Sequence, residues 1–139
     1  MSARTKARKR ALDVLFSADV RGDGLDDALR REALRARDTP ERAGSWPYAS
    51  EIVQGVIDHR GEIDRLLTEH ASGWTLERMP AVDRAILRLA AWEVLHNPDV
   101  PVGVAIDEAV ELAKELSTDD SPKFVNGVLG AVASAAPRG

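Results

Sequence analysis

The stretch from Pro80 to Asn97, PAVDRAILRLAAWEVLHN, limits what this chain can fold into more than any other. Its apolar residues Val82, Ala85, Ile86, Leu87, Leu89, Ala90, Ala91, Trp92, Val94 and Leu95 fall on nearly every side of an α-helix. A helix that is apolar all round belongs in the interior. Pro80 suits the first helical turn, where its missing N–H has no intrahelical partner, and Asn97-Pro98 supplies a stop. Burying Trp92 alone removes roughly 150–250 Å² from water, about 4–6 kcal/mol at ~25 cal/mol/Å². Arg88 and Glu93 interrupt the apolar surface and read as structural, because a buried charge is costly unless paired.

The other segments then need this helix as a place to put their stripes. Lys6 to Val20 is helical, with Ala7, Ala11, Val14, Leu15 and Ala18 on one face and Leu12 and Phe16 widening it. Gly22 and Gly24 break it, and Leu25 to Arg37 resumes as a weaker surface helix. The loop-like stretch Asp38 to Trp46 precedes two further stripes, on Tyr48 to Arg60 and after Gly61, which read as a hairpin or a kinked helix ended by Gly73. Thr75 is a candidate N-cap before the central helix. Val102 to Leu116 is amphipathic, its acids on the outer face reading as solvating. Ser121 at N-cap and Pro122 at N1 open the last helix, where Gly127 and Gly130 suggest close approach of a backbone or ligand. No period-2 alternation of useful length occurs. The expectation is one all-α domain, 1–139, of roughly seven helices in two packed bundles, with subdomains about 1–73 and 74–139.

Chemistry is hard to find in these residues. There is no cysteine, so no thiol or disulfide chemistry enters, and a reducing cytoplasm is the plain reading. No apolar run reaches the length of a membrane span, and no signal peptide is evident. His59, His70 and His96 lie on separate segments without the spacing of a metal pair, which predicts no metal site and no cofactor. No phosphate-binding glycine loop or nucleophile triad stands out, and the expectation is a protein that is not an enzyme.

Charge is distributed unevenly. The net charge is −4, yet residues 1–10 carry Arg4, Lys6, Arg8, Lys9 and Arg10 and no acid, leaving 14 basic against 23 acidic residues in the rest. A basic head on an acidic body points to an anionic partner held at one place, or to a solvated tail. Lys123 and Phe124 beside a helix start are a second candidate, since a helix N-terminus receives phosphate and an aromatic stacks a base, although a phenylalanine at helical spacing is more often core.

Four blocks in order make the sequence specific: Arg4-x-x-x-Arg8-Lys9-Arg10-Ala11-Leu12-Asp13-Val14-Leu15-Phe16, Asp83-Arg84-Ala85-Ile86-Leu87-Arg88-Leu89-Ala90-Ala91-Trp92-Glu93, Ile106 to Lys114 (IDEAVELAK) and Lys123-Phe124-Val125-Asn126-Gly127-Val128-Leu129. Together they resemble the NusB family of bacterial transcription antitermination factors over almost the whole chain, residues 22–47 carrying little of the signal. The resemblance implies a non-catalytic, all-helical protein that binds boxA RNA of nascent ribosomal RNA transcripts. Its partners would be the ribosomal protein NusE and an RNA polymerase elongation complex with other Nus factors. Carried over by position, Arg4, Arg8, Lys9 and Arg10 would hold RNA phosphates, and Asp120, Lys123, Phe124 and Asn126 would add RNA contacts. Phe16, Glu77, Arg78, Asp83 and Arg84 would face NusE. Phe16 stands where tyrosine is usual, which removes a hydroxyl donor, and Asp83 where a glutamate can occur. The alternatives are a helical protein-binding adaptor using Asp107 to Glu115, and a relative of the RNA-binding domain of ribosomal RNA cytosine methyltransferases. The latter carry a following catalytic domain, whereas this sequence ends at Gly139. A homodimer stays open.

Overall fold

Short connections, two of them 3-10 turns, join helices that make up most of the described residues. The structure, a computed structural model, describes residues 2–136, so the ends of the expected domain, 1 and 137–139, lie outside the described residues. Seven helices are present: α1 (Ala3–Arg21), α2 (Leu25–Asp38), α3 (Trp46–Asp58), α4 (Arg60–His70), α5 (Ala81–His96), α6 (Val102–Leu116) and α7 (Ser121–Ala135), and no strand occurs among the described residues. The all-α reading holds.

The stretch from Pro80 to Asn97 becomes α5, with Pro80 at the N-cap and Ala81 as first helical residue. Ile86, Leu87, Leu89, Ala90, Ala91 and Val94 are at most 1% exposed, as a helix apolar on all sides requires. α5 packs against α1, α3, α4, α6 and α7, and one continuous core joins residues from Ala7 on α1 to Val132 on α7. α2 lies outside, on α1 and α3, burying only Ala28 and Ala36. α4 follows α3 in sequence yet packs mainly on α5 and α7.

Three boundaries differ from expectation. α1 begins earlier, because the Ser2 hydroxyl accepts from the Thr5 backbone N–H at 3.0 Å. It ends as predicted at Gly22, whose φ of 72° is left-handed and lets its N–H reach Ala18 and Asp19 carbonyls. The bend between α3 and α4 falls at His59 rather than at Gly61, which is helical. Thr75 precedes a 3-10 turn (Leu76–Arg78) and caps nothing with its side chain.

Close approach of a glycine occurs at a different place from the one predicted. A Cβ at Gly127 or Gly130 would meet nothing within 4 Å, so the expectation of a near backbone there is corrected. At Gly55 on α3 a Cβ would lie 2.1 Å from the Trp92 indole nitrogen. The Trp92 ring of α5 occupies the space that a side chain at Gly55 would need.

Candidate nucleic-acid interface

The basic head is the first turns of α1, and its cations separate into two groups. Arg4 and Lys6 are exposed, with the Arg4 guanidinium 4.6 Å from the Tyr48 ring centroid. Arg8 turns the other way. It is 3% exposed, its Nε donates to both Glu93 carboxylate oxygens at 2.9 and 3.1 Å, and its Nη1 donates to Glu108 at 3.1 Å. Glu93 is fully buried, and the Tyr48 hydroxyl donates to it while accepting from Asn97 Nδ2 at 3.0 Å. Arg8, expected to hold phosphate, is instead buried, with Nε and Nη1 turned inward to Glu93 and Glu108.

This cluster perturbs two of its own groups. Burial is the largest influence on Arg8 and lowers its pKa, but the Glu93 hydrogen bond and the charges of Glu93, Tyr48 and Glu108 outweigh it and the net shift is upward. Tyr48 is pushed well above its ordinary value of 10.0, first by burial and then by its bond to the Glu93 carboxylate, against which Arg8 and Asn97 pull only partly.

Lys9 is half-buried and reaches Glu115 at 2.8 Å, and Arg10 lies 5.0 Å over the Trp46 ring while donating to Ser45 at 3.4 Å. The acids of α6 are thus not simply solvating: Glu108 and Glu115 neutralise part of the head, and Glu108 also accepts from Thr5 at 2.8 Å. The Lys9–Glu115 pair joins the head to the last turn of α6, whose end leads through residues 117–120 into α7.

That second region is pinned from below. Asp83, 3% exposed in the first turn of α5, accepts from the Ser117 hydroxyl and, at 2.9 Å, from the Ser121 hydroxyl. Ser121 is consequently the first residue of α7, facing inward, and Asp120 holds the cap position without a side-chain cap bond. Asp120, Lys123 and Asn126 are exposed. Phe124 is half-buried at the wall of a groove of about 300 Å³ that also includes Met79, Pro80 and Trp74, the last 50% exposed. Trp74 was not expected to take part; its signal was a large aromatic after Gly73 that belonged to no helical stripe.

The five positions implied for NusE divide likewise. Glu77 and Arg78 are exposed on the 3-10 turn, and Phe16 is half-buried on α1. Asp83 is buried and Arg84 half-buried. Arg84 donates to Asp19 at 2.7 Å and to the carbonyls of Leu76 and Met79 at 2.8 and 3.1 Å, so it holds the turn that presents Glu77 and Arg78. Asp83 and Arg84, expected to face NusE, are engaged in these internal bonds. Arg88 and Glu93 are structural as read, Arg88 pairing with Asp64 at 2.9 Å. The histidines do not stay apart: the α3–α4 bend and the end of α5 bring His59 and His96 face to face.

The all-helical domain thus carries exposed cations at the start of α1 and an aromatic-walled groove beside the start of α7. The chain belongs to the NusB family, whose model matches residues 5–134. It is 64% identical over 138 residues to the transcription antitermination protein NusB of Leifsonia xyli subsp. xyli, covering 99% of this chain and 96% of the relative. The protein of the same name from Clavibacter sepedonicus is 58% identical over 135 residues, 97% of this chain and 98% of the relative. Among solved structures, T. maritima NusB superposes with a TM-score of 0.82 at 34% identity, covering 96% of this chain and 92% of that one. A structure of antitermination factors NusB and NusE in complex with dsRNA superposes with a TM-score of 0.81 at 29% identity, covering 97% and 98%.

Proposed function

We propose that this chain is a transcription antitermination factor that binds boxA RNA of nascent ribosomal RNA transcripts together with the ribosomal protein NusE, within an RNA polymerase elongation complex in the cytoplasm. The observation that carries the reading is its end-to-end likeness to the Leifsonia protein of that name. The solved relative described with NusE and RNA supports the two partners. No helix among the described residues is long and apolar enough to cross a membrane. The role contains no chemical step.

RNA capture is electrostatic and then selective. Arg4, Lys9 and Arg10, with Lys6 beside them, meet phosphate; Lys123 adds a cation at the start of α7, where the helix N-terminus favours anions. Phe124 offers a base-stacking face, and Asp120 and Asn126 offer polar atoms to base edges. NusE docks over Phe16, Glu77 and Arg78; Arg84 holds the turn that carries the last two, and Asp83 holds the neighbouring start of α7.

The test is a salt titration of binding to single-stranded boxA RNA, an unrelated strand and a duplex. Replacing both Arg4 and Lys6 by alanine lowers affinity for all three and reduces the single-strand salt slope by about 1.4, since each phosphate contact contributes about 0.7. Phe124→Ala weakens the boxA strand selectively, by roughly 5- to 150-fold for one stacked base. NusE and RNA raise each other's affinity by the same factor. Variants that bind boxA as tightly as the parent discard the site, and calorimetry without NusE coupling discards the shared complex.

A further inference from the structure

His59 stands between α3 and α4, Glu62 lies in the first turn of α4, and His96 is the last residue of α5. Chain folding brings these three elements to one spot. The His59 and His96 rings stack with centroids 3.7 Å apart and 16° between their planes, and His96 Nε2 lies 2.5 Å from Glu62 Oε1. One potential ligand atom from each of the three lies within 4.8 Å of the other two.

We propose that His59, Glu62 and His96 form a site for a divalent transition metal of the Zn²⁺ class, with three protein ligands and a fourth position for water. Two imidazoles and one carboxylate are the donor set of such three-ligand sites, and their mixed nitrogen and oxygen character selects these ions over Mg²⁺ and Ca²⁺. Metal-to-donor distances of about 2.0–2.2 Å place tetrahedral donors roughly 3.3–3.6 Å apart, so His96 and Glu62, at 2.5 Å, must open by about 1 Å and no other pair, within 4.8 Å, needs to close by more than about 1.5 Å. They have the freedom to do so, because Glu62 is exposed and both histidines are only half-buried. Their backbones are fixed. The His59 N–H donates to the Gly55 carbonyl at 3.1 Å and its carbonyl accepts from Ile63 at 2.9 Å, while Asn97, next to His96, donates to Glu93 at 3.2 Å. A site built on element ends held in this way needs side-chain torsions alone to assemble. Local charge also suits a cation, since Arg60, beside His59 in sequence, is drawn to Asp64 at 3.1 Å. The bound ion ties the α3–α4 bend to the end of α5.

Calorimetry on the full-length chain, with any affinity tag removed and treated with chelator, tests this using ZnCl₂ as the probe. The expected result is saturable binding of one Zn²⁺ per chain. His59→Ala and His96→Ala each weaken it by about tenfold or more, the scale already seen for residues that merely support ligands. His70→Ala, on the same helix as Glu62 but outside the cluster, leaves it unchanged. Co²⁺ in place of Zn²⁺ gives the visible absorption of a tetrahedral site. Glu62→Gln alters an exposed side chain and so avoids a folding defect; in it, the rise of the thermal midpoint that Zn²⁺ produces in the parent is lost. Absence of saturable binding, or binding that persists unweakened in His59→Ala, His96→Ala and Glu62→Gln, overturns the proposal.

Discussion

Replacing Arg8 by alanine separates a core residue from an RNA contact. Arg8 donates three hydrogen bonds, two to the fully buried Glu93 and one to Glu108. Its loss leaves a carboxylate in the interior with the Tyr48 hydroxyl still donating to it, but without the guanidinium charge. Breaking a buried pair from one side costs about 3–5 kcal/mol, a large share of the roughly 5–15 kcal/mol that holds a domain together. For a chain of this length the thermal midpoint falls by roughly 10–15 °C. Urea unfolding followed by circular dichroism measures the loss directly. Neutralising the partner too, in Arg8→Met with Glu93→Gln, costs less than the sum of the single changes by at least about 1 kcal/mol, because the two side chains touch. At temperatures where Arg8→Ala is folded, the salt slope of its RNA binding equals that of the parent. An Arg8→Ala protein within about 0.5 kcal/mol of parental stability whose RNA affinity has fallen would refute the internal role.

Two further outcomes follow from the core. Gly55→Ala drives a methyl into the Trp92 indole and destabilises by about 1–3 kcal/mol or more, whereas Gly127→Ala and Gly130→Ala meet open space and each stabilise by up to about 0.8–1 kcal/mol, all readable by urea midpoint. Tyr48 is the one tyrosine, so phenolate absorbance reports it alone. Its folded pKa is raised above that of the unfolded chain, so the folded state keeps the proton where the unfolded state has lost it. Stability is therefore complete below about pH 10 and falls as pH rises beyond it, with phenolate appearing only as the chain unfolds; Tyr48→Phe flattens that fall.

The helices were legible because burial writes itself into spacing. The continuous apolar surface of Pro80 to Asn97 could only be central, and the stripes of α3, α6 and α7 could only face it. Residue type did not show which way a charged side chain turns. Arg4 and Arg8 are one turn apart in a basic run, yet Arg8 is the one that faces α5 beside Ala7 and Ala11, where Glu93 waits 85 residues further on. Asp83 likewise reads as a first-turn acid of α5, and only the return of α6 brings Ser117 and Ser121 onto it. Gly55 and Trp92, or His59 and His96, are partners across two helices, which no local window contains. The four family blocks name candidate positions without the direction of their side chains.

The internal neutralisation of the head has a consequence for RNA. Lys9 holds Glu115 at 2.8 Å with side-chain exposures of 26% and 53%, so the pair is accessible and weak, about 0.2–1 kcal/mol. A phosphate arriving at Lys9 must compete with that carboxylate, and Glu115 repels the same phosphate on the side of the head nearest the α6–α7 turn. Glu115→Gln removes both effects while leaving Arg8, Glu93 and Glu108 untouched. RNA affinity should rise up to about fivefold at low salt, converging on the parent as screening shortens the reach of the charge. Unchanged or weaker binding in Glu115→Gln at low salt would mean that the strand does not pass Lys9, and the path of the RNA would have to be drawn without it.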